Sequence, residues 1–310
     1  MHVNVLYSRH APDGARPGPL LLIHGGAGPR ESELALKESE DYQEGLNRAL
    51  EAGAEALRAG RSALDAVCAA VMELEDNPLF NAGRGASLTD RGTAEMDAAV
   101  MTGDGHAGSV AVSRHARNPV LAARAVLERS DHVLLVDPAP EVTAEWGLSH
   151  APAEYFVTDH RRAQLEKVLA NRSTAPRCGT VGAVALDVEG QVACATSTGG
   201  MVGQAVGRVG DTGLIGAGSF ASADAAALSC TGEGEAYIQG AVSHDVVARM
   251  RYGGADLEDA LRSTYERELD ARQATGGTIA LTPDGRAVIA HNSAAMFAGY
   301  WDGDSSHTFV

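Results

Sequence analysis

Thr180-Val-Gly-Ala-Val-Ala-Leu-Asp187, Glu189-Gly190 and Val192-Ala-Cys-Ala-Thr-Ser-Thr198 make up the stretch whose reading decides the fold. Two apolar, β-branched runs on either side of a short polar turn read as an antiparallel hairpin. A second hairpin follows near the C-terminus, from Thr278-Ile-Ala-Leu-Thr282 through Pro283-Asp-Gly285 to Ala287-Val-Ile-Ala290. Between the two, Glu235 to Met250 and Leu257 to Arg272 carry helical spacing. Upstream, Leu20-Leu-Leu-Ile23 reads as a buried strand that stops at a loop, His24-Gly-Gly-Ala-Gly28. Helices are expected from Tyr42 to Ala59, and from an N-cap at Ser62, with Asp65 three residues on, to just before Pro78. Gly108-Ser-Val-Ala-Val112 and His132-Val-Leu-Leu-Val136 read as strands around a helix that Asn118-Pro119 opens and Glu128 ends. Strands come in runs and helices in pairs, which favours antiparallel sheets covered by helix layers over a parallel βαβ sheet.

The 310 residues carry 25 basic and 41 acidic side chains, a net charge of −16 that argues against a nucleic-acid or anionic-membrane partner. No apolar run approaches the ~20 residues that span a bilayer, and the first residues show no export signal, so a cytoplasmic protein is expected. Four scattered cysteines without a C-x-x-C pair fit a reducing compartment and argue against a disulfide framework or a thiolate zinc site. Hydrophobic content of 45% excludes wholesale disorder. Thr158 to Arg177 is polar, with one short helical piece, and reads as an exposed connector ending where the first hairpin begins.

Familiar chemistries can be set aside. No G-x-S-x-G elbow and no P-loop occur. Gly216-Ala-Gly218-Ser-Phe-Ala221 fits a loose dinucleotide pattern, but no βαβ unit surrounds it. None of the eleven histidines pairs at H-x-x-x-H spacing, and a lone His such as His24 reads as a core or loop residue. What remains is a set of hydroxyls at strand ends beside glycine loops: Gly179-Thr180, Thr196-Ser-Thr198-Gly-Gly200, Gly207-Arg-Val-Gly-Asp211 and Thr231-Gly-Glu-Gly-Glu235.

That set resembles the plant-type L-asparaginase/isoaspartyl peptidase family, a branch of the N-terminal-nucleophile hydrolases. His24-Gly-Gly-Ala-Gly28, Asn77-Pro-Leu-Phe-Asn-Ala-Gly-Arg-Gly85, Met96-Asp-Ala98, Gly179-Thr-Val-Gly-Ala-Val-Ala185 and the later motifs, including Ser229-Cys-Thr-Gly-Glu-Gly-Glu235, follow in the family's order. The resemblance implies an α+β, four-layer αββα sandwich. It also implies autocatalytic cutting between Gly179 and Thr180, giving subunits 1–179 and 180–310 of one globular domain. Glycosylasparaginase, a relative that usually has Asp before its threonine and Asn-Gly after the second one, fits less well. A non-cleaving, ligand-binding member is the reading from another class.

A threonine hydroxyl needs a base, and a chain cut before Thr180 would give it a free α-amine of pKa roughly 7.7–8.0, suited to that task. By the resemblance, Thr198 hydrogen-bonds the nucleophile, Thr231 and the Gly232 amide form the oxyanion hole, and Asn81 orients the site. Arg208 holds a substrate α-carboxylate and Asp211 an α-ammonium, with Gly232 and Gly234 beside them. The implied substrates are L-asparagine and β-aspartyl dipeptides, with no organic cofactor. Main-chain carbonyls of Leu74, Glu75, Asn77, Phe80, Ala82 and Arg84 would hold a structural sodium ion, and two processed units would pair as (αβ)₂. One element departs from the family: Asn292-Ser-Ala-Ala-Met296 lacks the acidic-glycine element usual after the last hairpin, where a wall facing the leaving group is expected.

Overall fold

The computed structural model describes residues 3–10, 17–28, 36–171 and 179–310. Its strands are β1 (Asn4–Arg9), β2 (Leu20–Gly28), β3 (Met96–Thr102), β4 (Ala107–Ser113), β5 (Leu134–Val136), β6 (Val181–Leu186), β7 (Val192–Thr198), β8 (Ser219–Ala221), β9 (Ala227–Gly232), β10 (Gly276–Leu281), β11 (Ala287–His291), β12 (Ala295–Trp301) and β13 (Ser306–Phe309). Its helices are α1 (Leu36–Arg58), α2 (Ala63–Asp76), α3 (Pro119–Arg129), α4 (Pro140–Glu145), α5 (Ala153–Phe156), α6 (Asp159–Asn171), α7 (Gly234–Gly240), α8 (Val242–Gly253) and α9 (Leu257–Thr264). Eight strands pair in the order β13-β12-β2-β6-β7-β3-β4-β5 and five in the order β1-β11-β10-β9-β8. Every pairing within these sheets is antiparallel except β4 with β5.

Side-chain alternation explains why the central strands are apolar throughout. Leu21, Ile23, Val181 and Ala183 face a core shared with Leu46, Leu50, Val67 and Leu74 of α1 and α2. Their neighbours Leu20, Leu22, Val184 and Leu186 face the opposite way, onto Ile279, Leu281 and Ile289 of the other sheet. A third core joins Leu228, Cys230, Ala280 and Val288 to Val246, Leu261 and Tyr265 on the far side of the five-stranded sheet. Two helix layers thus enclose two sheets, the αββα sandwich expected. Among the described residues, no helix is long and apolar enough to cross a membrane.

Several boundaries differ from the sequence expectation, each for a tertiary reason. β2 continues through the expected loop to Gly28, because β12 pairs with it as far as Ala295 opposite Gly28. The helix expected from Glu235 to Met250 breaks at Ala241, whose φ is 44°. There the start of α8 docks on the Gly216–Ala217 turn, to which His244 and Ser243 donate their amides. α9 ends at Thr264 and passes into a wider π turn over Tyr265–Leu269. The expected exposed connector is largely α6, held down by buried Leu165 and by Arg161, whose Nε donates to the Gly85 carbonyl at 2.6 Å. The rest of that connector, residues 172–178, lies outside the described residues, as do residues 11–16 of the polar lead before β2. The Gly216–Gly218 turn leads into β8 and not into a helix, which removes the dinucleotide pattern.

Candidate active site

Parity puts three threonines into one gap. Thr180 precedes β6 in the same alternation as Val184 and Leu186, and Thr198 shares a β7 face with Cys194; all three neighbours belong to the layer between the sheets. On β9, Thr231 alternates with Ala227, which lies in that layer too. Because β6 and β7 pair with Val181 opposite Ser197, the next step of the ladder brings Thr180 beside Thr198. The Thr180 hydroxyl donates to Thr198 Oγ1 at 3.2 Å, and the Thr180 amide donates to Thr231 Oγ1 at 3.3 Å. Thr231 Oγ1 accepts a second amide, from Ala27, at 3.2 Å.

Gly179, the residue before Thr180, has φ +98°, a conformation that an L side chain adopts at a cost. Its Cα packs so tightly against Gly26 that a Cβ at Gly26 would lie 2.6 Å from it. Two glycines are therefore needed where the β2 backbone crosses the Gly179–Thr180 junction. Asn81 grips the next turn: its Nδ2 donates to the Gly200 carbonyl, its Oδ1 accepts the Ser87 amide, both at 2.7 Å, and its own carbonyl accepts the Gly199 amide.

An open cleft runs from this point, lined by Gly179, Thr180, Thr198, Arg208, Asp211, Gly232 and Gly234 among others. Of the side chains read from sequence as catalytic or substrate-binding, Thr180, Thr198, Arg208 and Asp211 share this concavity, while Thr231 is fully buried next to it and Asn81 stands behind the Gly199–Gly200 turn. Arg208 and Asp211 do not form a surface ion pair. Arg208 Nε donates to Glu235 Oε1 at 2.8 Å and its Nη1 to Gln204 Oε1 at 3.1 Å. Asp211 is buried, and its Oδ2 has no hydrogen-bond partner among the described residues. Burial pushes the Asp211 carboxyl up to about 7, against the pull of the nearby Arg208 charge. A buried carboxylate with an orphaned oxygen beside a guanidinium can accept a ligand that carries both an ammonium and a carboxylate.

Beneath the threonines lies His24, to which the sequence gave a place in the core or a loop but no part in the site. His24 Nδ1 is 2.9 Å from the Thr180 carbonyl and Nε2 is 2.8 Å from Ser229 Oγ, which in turn lies 2.7 Å from Thr196 Oγ1. A carbonyl only accepts, so this geometry assigns the proton to Nδ1 and makes Nε2 the acceptor. Burial presses the imidazole down to about 3, keeping it neutral. His24 is the buried core residue that the sequence suggested, but its partners and that of Glu235, 27 to 205 positions away, left no local signal, and Gln204 sits on a loop of unpredictable path.

Asn292 and Met296, at the departure from the family pattern, do not line the cleft. Asn292 Oδ1 accepts the Gly276 amide at 2.8 Å, which locks the last hairpin internally. In the loop after α2, Gly83 packs against the Glu75 carbonyl and Gly85 against the Pro78 and Phe80 carbonyls, leaving no room for a Cβ at either. Asn77 and Ala82 each give their carbonyl to a backbone amide, from Phe80 and Gly85, and each oxygen keeps a further lone pair. Such hard, uncharged oxygens fit an alkali-metal ion. Among the described residues, no side-chain cluster of His, Cys, Asp or Glu could hold a metal.

The family model described as Asparaginase matches residues 17–310. The chain belongs to the asparaginase family. This asparaginase-family chain is 41% identical over 306 residues to the isoaspartyl peptidase of Escherichia coli, covering 94% of this chain and 95% of that one. It is 36% identical to a probable isoaspartyl peptidase/L-asparaginase 2 of Arabidopsis thaliana (91% and 95% covered) and 37% identical to an isoaspartyl peptidase/L-asparaginase of Bos taurus (90% and 91%). The strand-end threonines and glycine loops of this asparaginase-family fold occupy one end of the gap between its two sheets.

Proposed function

We propose that this chain cuts itself between Gly179 and Thr180 and then hydrolyses the side-chain amide of L-asparagine and the β-linkage of β-aspartyl dipeptides. The observation that carries the proposal is the Thr180 hydroxyl on Thr198 Oγ1, in the same cleft as Arg208 and Asp211. In the first reaction the Thr180 oxygen attacks the Gly179 carbonyl carbon. The Gly179–Thr180 C–N bond breaks, and the freed amine takes a proton. Water then opens the resulting ester, leaving the Thr180 α-amine as base for its own hydroxyl. The positive φ and the bare Cα of Gly179 leave that carbonyl accessible.

In the second reaction the Arg208 guanidinium receives the substrate α-carboxylate and Asp211 its α-ammonium, which points the β-carbonyl at Thr180. The α-amine accepts the proton of the Thr180 hydroxyl as the oxygen attacks. The Thr231 hydroxyl and Gly232 amide stabilise the oxyanion, and the proton passes to the departing ammonia or amino acid. Water then releases aspartate from the ester. Carbonyls of Leu74, Glu75, Asn77, Phe80, Ala82 and Arg84 would hold a sodium ion, which when bound stiffens the loop that carries Asn81. The assembled form proposed is (αβ)₂, on the family resemblance. A cytoplasmic setting is proposed on the buried free thiols of Cys68, Cys194 and Cys230.

A denaturing gel with an ammonia assay tests the proposal. Cutting after Gly179 leaves a 131-residue second piece, so the 32.0 kDa chain should yield bands of about 18.5 and 13.5 kDa. A persistent single band with no ammonia from asparagine would refute it. The Asp211 carboxyl adds a pH dependence. With its pKa pushed up to about 7, it is neutral at lower pH and offers an ammonium no charge. The KM for asparagine is therefore expected to fall as pH rises between about 6 and 8, because the carboxylate form gains population. A KM flat across that range, or the same slope in Asp211→Asn, would remove Asp211 as the ammonium partner.

A further inference from the structure

We infer that Glu95 and Asp97 are positioning residues of the substrate site: their carboxylates clamp the backbone on either side of Arg208 and fix its span from Asp211. The inference rests on the function proposed above, and concerns how the chain holds its recognition loop. Glu95 Oε2 accepts the Gly207 amide at 2.7 Å, and Asp97 Oδ2 accepts the Gly210 amide at 2.8 Å. The clamped amides thus bracket Arg208 and end one residue before Asp211. Both carboxylates are buried, at 2% and 3% exposure, and neither lines the cleft. They act through the loop and not on a ligand.

The second oxygen of each carboxylate is anchored too. Glu95 Oε1 accepts from Arg114 Nη2 at 2.6 Å, and Arg114 also pairs with Asp137 at 2.8 Å. Asp97 Oδ1 accepts the Val112 amide at 2.9 Å. That amide is available because the β3–β4 pairing shifts register between Met96 and Ala98, and Val112 takes a φ of 56°. A β-branched residue in this region is a true outlier, and it persists only where its surroundings over-determine it. Bulges of this kind re-aim groups next to active sites. On its other edge β3 pairs with β7, and there Asp97 stands opposite Thr198. One residue therefore ties the loop bearing Arg208 and Asp211 to the strand end bearing the nucleophile's hydrogen-bond partner. The distance from recognition to reaction is set at that residue.

The self-cutting step uses Gly179, Thr180, Thr198 and Thr231 and needs no grip on a free zwitterion, so the clamp should matter to one reaction and not to the other. Asp97→Asn and Glu95→Gln keep each side chain's size but replace one accepting oxygen by an NH₂, which faces an amide hydrogen at 97 and either the Gly207 amide or the Arg114 guanidinium at 95. Each variant is expected to cut fully at Gly179–Thr180 and to hydrolyse asparagine with kcat within about threefold of wild type. Its KM should rise roughly tenfold or more, the loss expected of one charge-assisted hydrogen bond. An unchanged KM in fully cut protein overturns the inference, as does a loss confined to kcat or a failure to cut in folded protein. If Asp97→Asn does not fold, Glu95→Gln carries the test in an Arg208→Lys background. Acting through Arg208, it should then add little to the KM of Arg208→Lys alone, whereas full additivity overturns the clamp. Wild type measured alongside separates the two levels: wild type that releases no ammonia takes down the proposed function and the clamp with it, while active wild type with unaffected variants sinks only the clamp.

Discussion

Thr180→Ala is expected to remain a single 32.0 kDa chain and to release no measurable ammonia from L-asparagine. Both reactions start at the same oxygen, so one substitution removes two activities that otherwise have little in common. In a hydrolase whose nucleophile acts with its base as a unit, losing the nucleophile costs about 10⁴ to 10⁶ in rate. Here the loss should sit at the top of that range, because the missing cut also withholds the α-amine that serves as base. The fold should tolerate the change: among the described residues the lost hydroxyl bonds only Thr198 Oγ1, while the Thr180 amide stays on Thr231 and its carbonyl on His24. Thr180→Ser keeps the oxygen and should retain both activities. Intact mass of each variant, with an ammonia assay on the same sample, reads the result. Alanine protein that still cuts or still turns over would mean that another residue is the nucleophile.

Thr231→Val should slow self-cutting, and in the protein that is cut it should leave substrate affinity nearly intact while lowering kcat about 10²- to 10³-fold, the loss typical of one oxyanion-hole donor. Thr231 Oγ1 already accepts amides from Thr180 and Ala27, so the hydrogen left to donate is its own. Valine matches its shape but strands the Ala27 amide, and before cutting the Thr180 amide too, at a cost of about 1–3 kcal/mol each in stability. Kinetics should therefore be read on protein whose near-UV circular dichroism matches wild type. A kcat within threefold of wild type would leave the Gly232 amide as the donor that matters.

The central hairpin was legible because Thr180 to Thr198 carries its own pattern: apolar strands, a polar turn and a hydroxyl at each open end. The resemblance named Thr198 as the partner of Thr180, and the hairpin's register sets the two side by side. The capped start of α2 was local as well: Ser62 Oγ accepts the Asp65 amide as the spacing required. The carboxylates of Glu95 and Asp97 had no local signature, because their partners are backbone amides more than a hundred positions on. The extension of β2 past His24 was hidden for the same reason: its partner strand begins at Ala295, and the five residues His24 to Gly28 read in isolation as a loop.

By itself, then, the order of residues determined the hairpins and the paired helices, since alternation and turn chemistry act over a few positions; the Gly179–Thr180 bond and the roles of the side chains around it were expectations from the family resemblance. Tertiary packing alone decided which carboxylate meets Arg208, how His24 holds the Thr180 carbonyl, and where α7 gives way to α8. Those choices turn on hydrogen bonds between distant segments, whose pairing depends on the whole chain closing and leaves no mark on any short stretch.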